Sequence, residues 1–212
     1  AGMPEGIVHS ELLRRPGKLY VLASHFHPDH FNKEVLQWRE QRPDIIYIFS
    51  KDILRHRRAQ KEDAVWLKKG EEYKDETLSV RAFGSTDVGV SFLLQAGGKK
   101  IFHAGDLNNW HWMDESTEAE WKGAEKNFLH ELDDLYAYTP EVDVAMFPVD
   151  PRLGKEYMRG AGQFVTKIKT HIFVPMHFTP EYAKANAFRD FAEAHGVRFV
   201  SLTHRGQKIE IE

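Results

Sequence analysis

His25-Phe26-His27-Pro28-Asp29-His30 is the stretch on which the reading of this chain turns. Three histidines and an aspartate stand in six residues, directly behind the apolar run Leu19-Tyr20-Val21-Leu22-Ala23. With this content of histidine and aspartate, the pattern H-x-H-x-D-H arises by chance in roughly 0.2% of such chains. Imidazole and carboxylate are the donors that suit zinc, manganese or iron where thiolate is absent, and the chain has no cysteine. On extended backbone His25 and His27 point to one side, while Asp29 and His30 serve a neighbouring point. That division calls for two metals. The plainer alternative is a polar loop whose histidines only hydrogen-bond one another.

Two later segments repeat the arrangement of an apolar strand running into a polar residue. Ile101-Phe102-His103-Ala104-Gly105-Asp106 ends in an acid behind a small-residue turn, and Phe173-Val174-Pro175-Met176-His177 ends in histidine. The two oxygens of Asp106 suit a bridge between metals about 3.5–4 Å apart. Alone, Asp106 or His177 reads as a structural residue. Together with the His25 loop they read as ligands, because open α/β sheets gather ligands at the carboxyl ends of their strands.

The rest of the chain alternates short apolar runs with amphipathic ones. Strands are expected at 19–23, 45–49, 77–83, 90–95, 99–103, 142–149, 171–176, 199–202 and 208–211, with Gly97-Gly98 as a hairpin turn. Helices are expected at 33–41 behind an Asn32 cap, over 51–60, from Thr117 onwards, over 156–168 and over 180–196. Thr117 and Glu120 form a capping box, and Trp121, Ala124, Phe128, Leu132 and Leu135 keep to one face. With no repeat and no linker, residues 1–212 read as one α/β domain.

Bulk properties narrow the function. A formal charge of −3 gives no electrostatic case for nucleic acid, so the basic run Arg55-His56-Arg57-Arg58 reads as a solvated helix face. No apolar run is long enough to span a bilayer, so no membrane partner is expected. Absence of cysteine fits a reducing cytoplasm. The opening Ala1-Gly2-Met3 reads as residues left ahead of a native Met3, or as the cut end of a longer chain.

The first motif, the Gly105-Asp106 turn and the late His177 resemble, in order, the metal motifs of the metallo-β-lactamase superfamily. Within it, the chain is similar to the metal-dependent hydrolase branch that includes the ascorbate-6-phosphate lactonase-like proteins. The resemblance implies an αββα sandwich and two divalent ions, zinc foremost, with manganese or iron as alternatives. It implies that His25 and His27 hold the first ion, that Asp29, His30 and His177 hold the second, and that Asp106 bridges them. It further implies attack by a metal-bound hydroxide, with Asp29 orienting the water or carrying its proton. The expected activity is hydrolysis of an ester, lactone or phosphodiester bond in a small molecule. Alternatives on the same fold are a mononuclear iron, oxygen-dependent enzyme and a catalytically silent metal-binding scaffold.

Two departures from the family pattern bear on the site. Where the family carries a further histidine, this chain reads Gly84-Ser85-Thr86-Asp87-Val88-Gly89, with Ser85 in the histidine's place. Either Asp87 takes over as ligand, or the first ion is weakly held, or only the second site fills; Asp87 also reads as a turn residue. The strand hairpin that opens the family fold is missing or shortened, since 3–18 does not supply it. The resulting sheet edge points to pairing between subunits as a homo-oligomer. His103 is expected to support the ligands from behind. Trp110, His111 and Arg152 are candidates to meet substrate, with Trp112 read as core. Asp150 is a candidate support for a metal-bound histidine.

Overall fold

The computed structural model describes Val8 and residues 10–211; the chain start at Ala1-Gly2-Met3 lies outside them. In order, the elements are α1 (Ser10–Leu13), β1 (Tyr20–Ala23), a 3-10 helix (Lys33–Glu40), β2 (Ile46–Ser50), α2 (Lys51–Arg55), a 3-10 turn (Lys61–Asp63), β3 (Val65–Leu67), β4 (Glu72–Lys74) and β5 (Ser79–Phe83). There follow β6 (Ser91–Ala96), β7 (Lys99–His103), α3 (Glu118–Tyr138), β8 (Glu141–Pro148), a second 3-10 segment (Pro151–Glu156), α4 (Arg159–Lys167), β9 (Lys169–Met176), α5 (Tyr182–Asn186), α6 (Arg189–Ala194) and β10 (Arg198–Phe199). β1, β2 and β3 make a parallel sheet. The other seven strands make a mixed sheet in the order β10-β9-β8-β7-β6-β5-β4, antiparallel from β4 to β7 and parallel from β7 to β10.

β2 shows how the sequence builds the layers. Its period of two turns Ile46 and Ile48 inward, against Val80, Ala82 and Phe92 of the large sheet. Tyr47 and Phe49 turn outward, against Phe31, Ile53 and Trp38. On the far face of the large sheet, Phe128, Leu132 and Leu135 of α3 and Phe164 of α4 pack onto Phe102, Phe147 and Phe173. The result is helices, sheet, sheet, helices: the αββα arrangement. Each of these buried aromatic side chains contributes about 1.5–3 kcal/mol by leaving water. The Thr117 capping box forms as expected, with Glu120 accepting from the Thr117 amide at 2.8 Å.

The helix expected over 33–41 forms at Lys33–Glu40 behind the Asn32 cap, as a 3-10 helix. The Tyr47 hydroxyl donates to the Val35 carbonyl, a partner from outside the helix for an oxygen that the α-helical ladder would engage. Several expectations are corrected. The helix expected over 180–196 divides into α5 and α6. Phe188 sits between them, fully buried against Phe173 and Phe199, while the Asn186 amide binds both the carbonyl and the N–H of Leu202. Residues 208–211 form no strand; Ile209 packs onto Val144 and Ile172 instead. The helix expected over 51–60 stops at Arg55, and β3 and β4 were not anticipated. Among the described residues ahead of β1 there is α1 and no strand, so β1 is an edge of its sheet. No helix of the described residues is long and apolar enough to cross a membrane.

Candidate metal centre

Strand register brings the chemistry to one edge. His103 closes β7 opposite Phe92 of β6 and Met146 of β8, and Pro148 at the end of β8 pairs with Met176 at the end of β9. The segments behind β1, β7, β8 and β9, and the turn between β5 and β6, therefore open on the same side.

Behind β1 the chain folds back at once. The amides of His30 and Phe31 both donate to the His27 carbonyl, at 3.0 and 2.8 Å, and the buried Phe31 ring anchors the turn. The Phe26 amide donates to Asp52 at 3.0 Å. His25 is fully buried, with Nδ1 3.0 Å from Ser24 Oγ, so Nε2 faces the site. The turn from Gly84 to Gly89 is pressed against this strand end. Gly89 has φ +76°, and a Cβ there would lie 2.1 Å from the Ser24 carbonyl oxygen and 2.5 Å from His25 Cβ. Thr86 pins the other side of the turn: its hydroxyl donates to the Asn108 carbonyl and accepts from the Asn108 amide. Asp87 is thereby carried to 3.6 Å from His27 Nδ1.

Asp106 stands at the centre. Its Oδ2 is 3.3 Å from His25 Nε2, while its Oδ1 is 3.1 Å from His30 Nε2 and 3.3 Å from His177 Nε2. The donor atoms fall into two groups, His25, His27, Asp87 and Asp106 on one side and Asp29, His30 and His177 on the other, each within 4.8 Å. Asp106 touches both. Burial alone would raise its pKa, but contacts with His177, His25 and His30 hold the carboxyl far below the usual range. His25 Nε2 and Asp106 Oδ1 are nonetheless buried without a well-formed hydrogen bond among the described residues. A buried lone pair left so is costly, and a cation between these atoms would satisfy it. The donor set thus fits divalent metal.

His177 is held from behind. Its Nδ1 lies 2.9 Å from Asp150 Oδ2, and Asp150 in turn accepts from the Arg152 guanidinium. Asp106 and Asp150 together raise the His177 pKa to about 9. Burial would raise Asp150, but His177 and Arg152 outweigh it and bring it to about 2. A carboxylate behind a ligand imidazole fixes its ring and raises its basicity. His103 accepts from the Gly105 amide at 3.1 Å, and burial, with the charge of His30, lowers it to about 4. It holds the turn that presents Asp106.

Over this floor lies a cavity of about 340 Å³, lined by His27, Asp29, Thr86, Asp87, Asp106, Trp110, Trp112, Arg152 and His177. Trp110 and Arg152, both candidates to meet substrate, are at its wall. His111 is not: it is 1% exposed, with Nε2 against the Glu156 carbonyl and Nδ1 accepting from the Met113 amide, and it organises the loop. Ser85 stays off the cavity wall and accepts from the Asp87 amide at 3.4 Å. Trp112, read as core, is at the cavity instead. Its positive φ of 44° turns it there, a backbone state that no sequence pattern signals.

The chain matches the Beta-lactamase superfamily domain over residues 9–178. It belongs to that superfamily, and its architecture is the metallo-β-lactamase fold. Igni18, a metallo hydrolase from the hyperthermophilic archaeon Ignicoccus hospitalis, is similar at TM-score 0.64 and 16% identity, over 97% of this chain and 85% of that one. The metallo-beta-lactamase fold protein YhfI from Bacillus subtilis is similar at TM-score 0.60 and 12% identity, over 89% of this chain and 76% of that one. At such identities the likeness is one of fold. Comparison with curated proteins finds no match.

Proposed function

We propose that this chain is a binuclear metal-dependent hydrolase that cleaves an ester, lactone or phosphodiester bond of a small molecule with water as nucleophile. The observation that carries the reading is Asp106, whose two oxygens face two separate groups of donors. His25, His27 and Asp87 would hold the first ion with Asp106, and Asp29, His30 and His177 the second. Ions bound there would polarise the scissile bond and acidify water. Asp29, with its side chain 69% exposed at the cavity, is placed to take the water's proton. Asp150 keeps the His177 ring oriented. Among the described residues no serine lines the cavity, and the Thr86 hydroxyl is engaged with Asn108, so no free hydroxyl or thiol stands ready to replace water as nucleophile. Zinc is the first candidate, in the cytoplasm of its host.

A second reading rests on one feature: each group contains two histidines and a carboxylate of its own, a set that also suits a single iron(II) with open positions. Elemental analysis of gently purified protein, with hydrolysis of aryl phosphodiesters, esters and lactones, separates them. About two metals per chain and turnover lost in Asp106→Ala support the hydrolase. One iron per chain with oxygen-dependent chemistry would favour the alternative. Metal without turnover on any substrate would leave a binding scaffold, and no metal after reconstitution would defeat both enzyme readings.

A further inference from the structure

One wall of the cavity is aromatic. Trp110 and Trp112 have their indole planes within 16° of parallel, with centroids 6.3 Å apart. Trp110 is fixed on both sides: its Nε1–H donates to the Asp106 carbonyl at 2.8 Å, and its ring meets the His177 imidazole edge to face at 5.6 Å. Trp112 is held by its backbone. Its carbonyl accepts from the amides of Glu115 and Ser116, and its φ is +44°. A bulky side chain in that region is strained, and such strain persists where the surroundings over-determine it, often beside a ligand. Among the described residues the Trp112 indole N–H has no hydrogen-bond partner, and the residue is half-buried. A tryptophan serving only to seal the core would be buried.

Arg152 supplies the second element. Its Nε and Nη2 are committed to Asp150, but Nη1 has no partner among the described residues, and the side chain is 55% exposed at the same cavity. A guanidinium edge offers fixed donors to carboxylate or phosphate oxygens. At about 340 Å³ the cavity is near the lower end of small-molecule sites, room for one ring system and its substituent.

We infer that the substrate is a small anionic molecule with an aromatic or heteroaromatic ring, the ring lying on the Trp112–Trp110 wall and the anionic group reaching Arg152 and the metal floor. This rests on the metal-centre reading above and names the substrate class for it. The test uses two non-hydrolysable probes, phenylphosphonate and methylphosphonate, titrated calorimetrically into protein of measured metal content. Phenylphosphonate is expected to bind about tenfold more tightly, the size of a stacking contact with its buried area. Trp112→Ala should reduce that ratio to near one with metal content and methylphosphonate affinity held, and Trp112→Phe should keep most of it. Arg152→Ala should weaken both probes alike. Equal affinities in the parent protein, or a phenyl preference that survives Trp112→Ala, would overturn the inference alone. Failure of methylphosphonate to bind, with no metal present, would instead strike the metal-centre reading beneath it.

Discussion

Replacing Gly89 with alanine tests how the site is assembled, because that one hydrogen is what lets two loops touch. Gly89 has φ +76°, and so does Gly98 in the β6–β7 turn. Alanine in the left-handed region costs about 1–2 kcal/mol, and that term should be common to both positions. Beyond it, the two differ completely. A Cβ on Gly98 meets nothing within 4 Å, whereas one on Gly89 lies 2.1 Å from a backbone oxygen and 2.5 Å from His25 Cβ. Backbone cannot swing aside as a long side chain can, so the turn from Gly84 to Gly89 must lift, adding about 1–3 kcal/mol of overpacking. Gly98→Ala should therefore lose about 1–2 kcal/mol and Gly89→Ala about 2–5 kcal/mol in urea unfolding, compared at equal m. The lift also draws Asp87 from His27, so Gly89→Ala alone should lose metal, read by elemental analysis. Equal losses of stability in the two variants, with full metal in both, would refute the reasoning.

Three other outcomes are expected. Asp87→Ala should bring metal content from about two per chain to about one, while Asp87→His should restore two; a constant count in both would remove Asp87 from the ligands. Phe147→Ala should cost about 3–5 kcal/mol by calorimetry, since the ring is fully buried among Phe128, Phe164 and Phe173; a loss under 1 kcal/mol would contradict the packing. Glu125 is brought to about 2, chiefly by Arg159, with burial opposing and Gln163 and Asn109 assisting. Its folded pKa is depressed, so its contribution is full above the ordinary value near 4.5 and is lost as pH falls towards 2. The stability gap between the parent and Glu125→Gln should accordingly close across that window, and a gap independent of pH would disprove the linkage.

How far the sequence carried depends on the range over which each signal acts. The His25 motif, the Asp106 turn, the Thr117–Glu120 box and the Gly97-Gly98 hairpin are local, and each stands where it was read. β3 and β4 span three residues each, too few for a period of two to register, and exist through pairing with neighbours. The break between α5 and α6 comes from the tie between Asn186 and Leu202, sixteen residues apart. At the site the same limit applies. His111 sits three residues from Asn108, yet its partner at Nε2 is the distant Glu156, and nothing in Asn108-Asn109-Trp110-His111-Trp112 reveals which aromatic turns outward. Only the backbone torsion at Trp112 decides that.

Charge explains why these separate segments form one device. Asp29, Asp87 and Asp106 bring three carboxylates together with four imidazoles. Such a set repels itself unless cations lie within it, and without metal the only remedy is protonation, as His177 shows by its pKa near 9. Two divalent ions would carry four positive charges against three negative ones. With neutral water as the remaining ligand the centre then has one unit of positive charge, while Arg152 is matched by Asp150. A loaded site of this composition attracts an anion, whereas a metal-free one repels it. Substrate binding and metal binding are therefore coupled in sign: each should strengthen the other. The exposed carboxylates Asp29 and Asp87, which would exclude an anionic substrate from a bare cavity, become part of what admits it once the ions are in place.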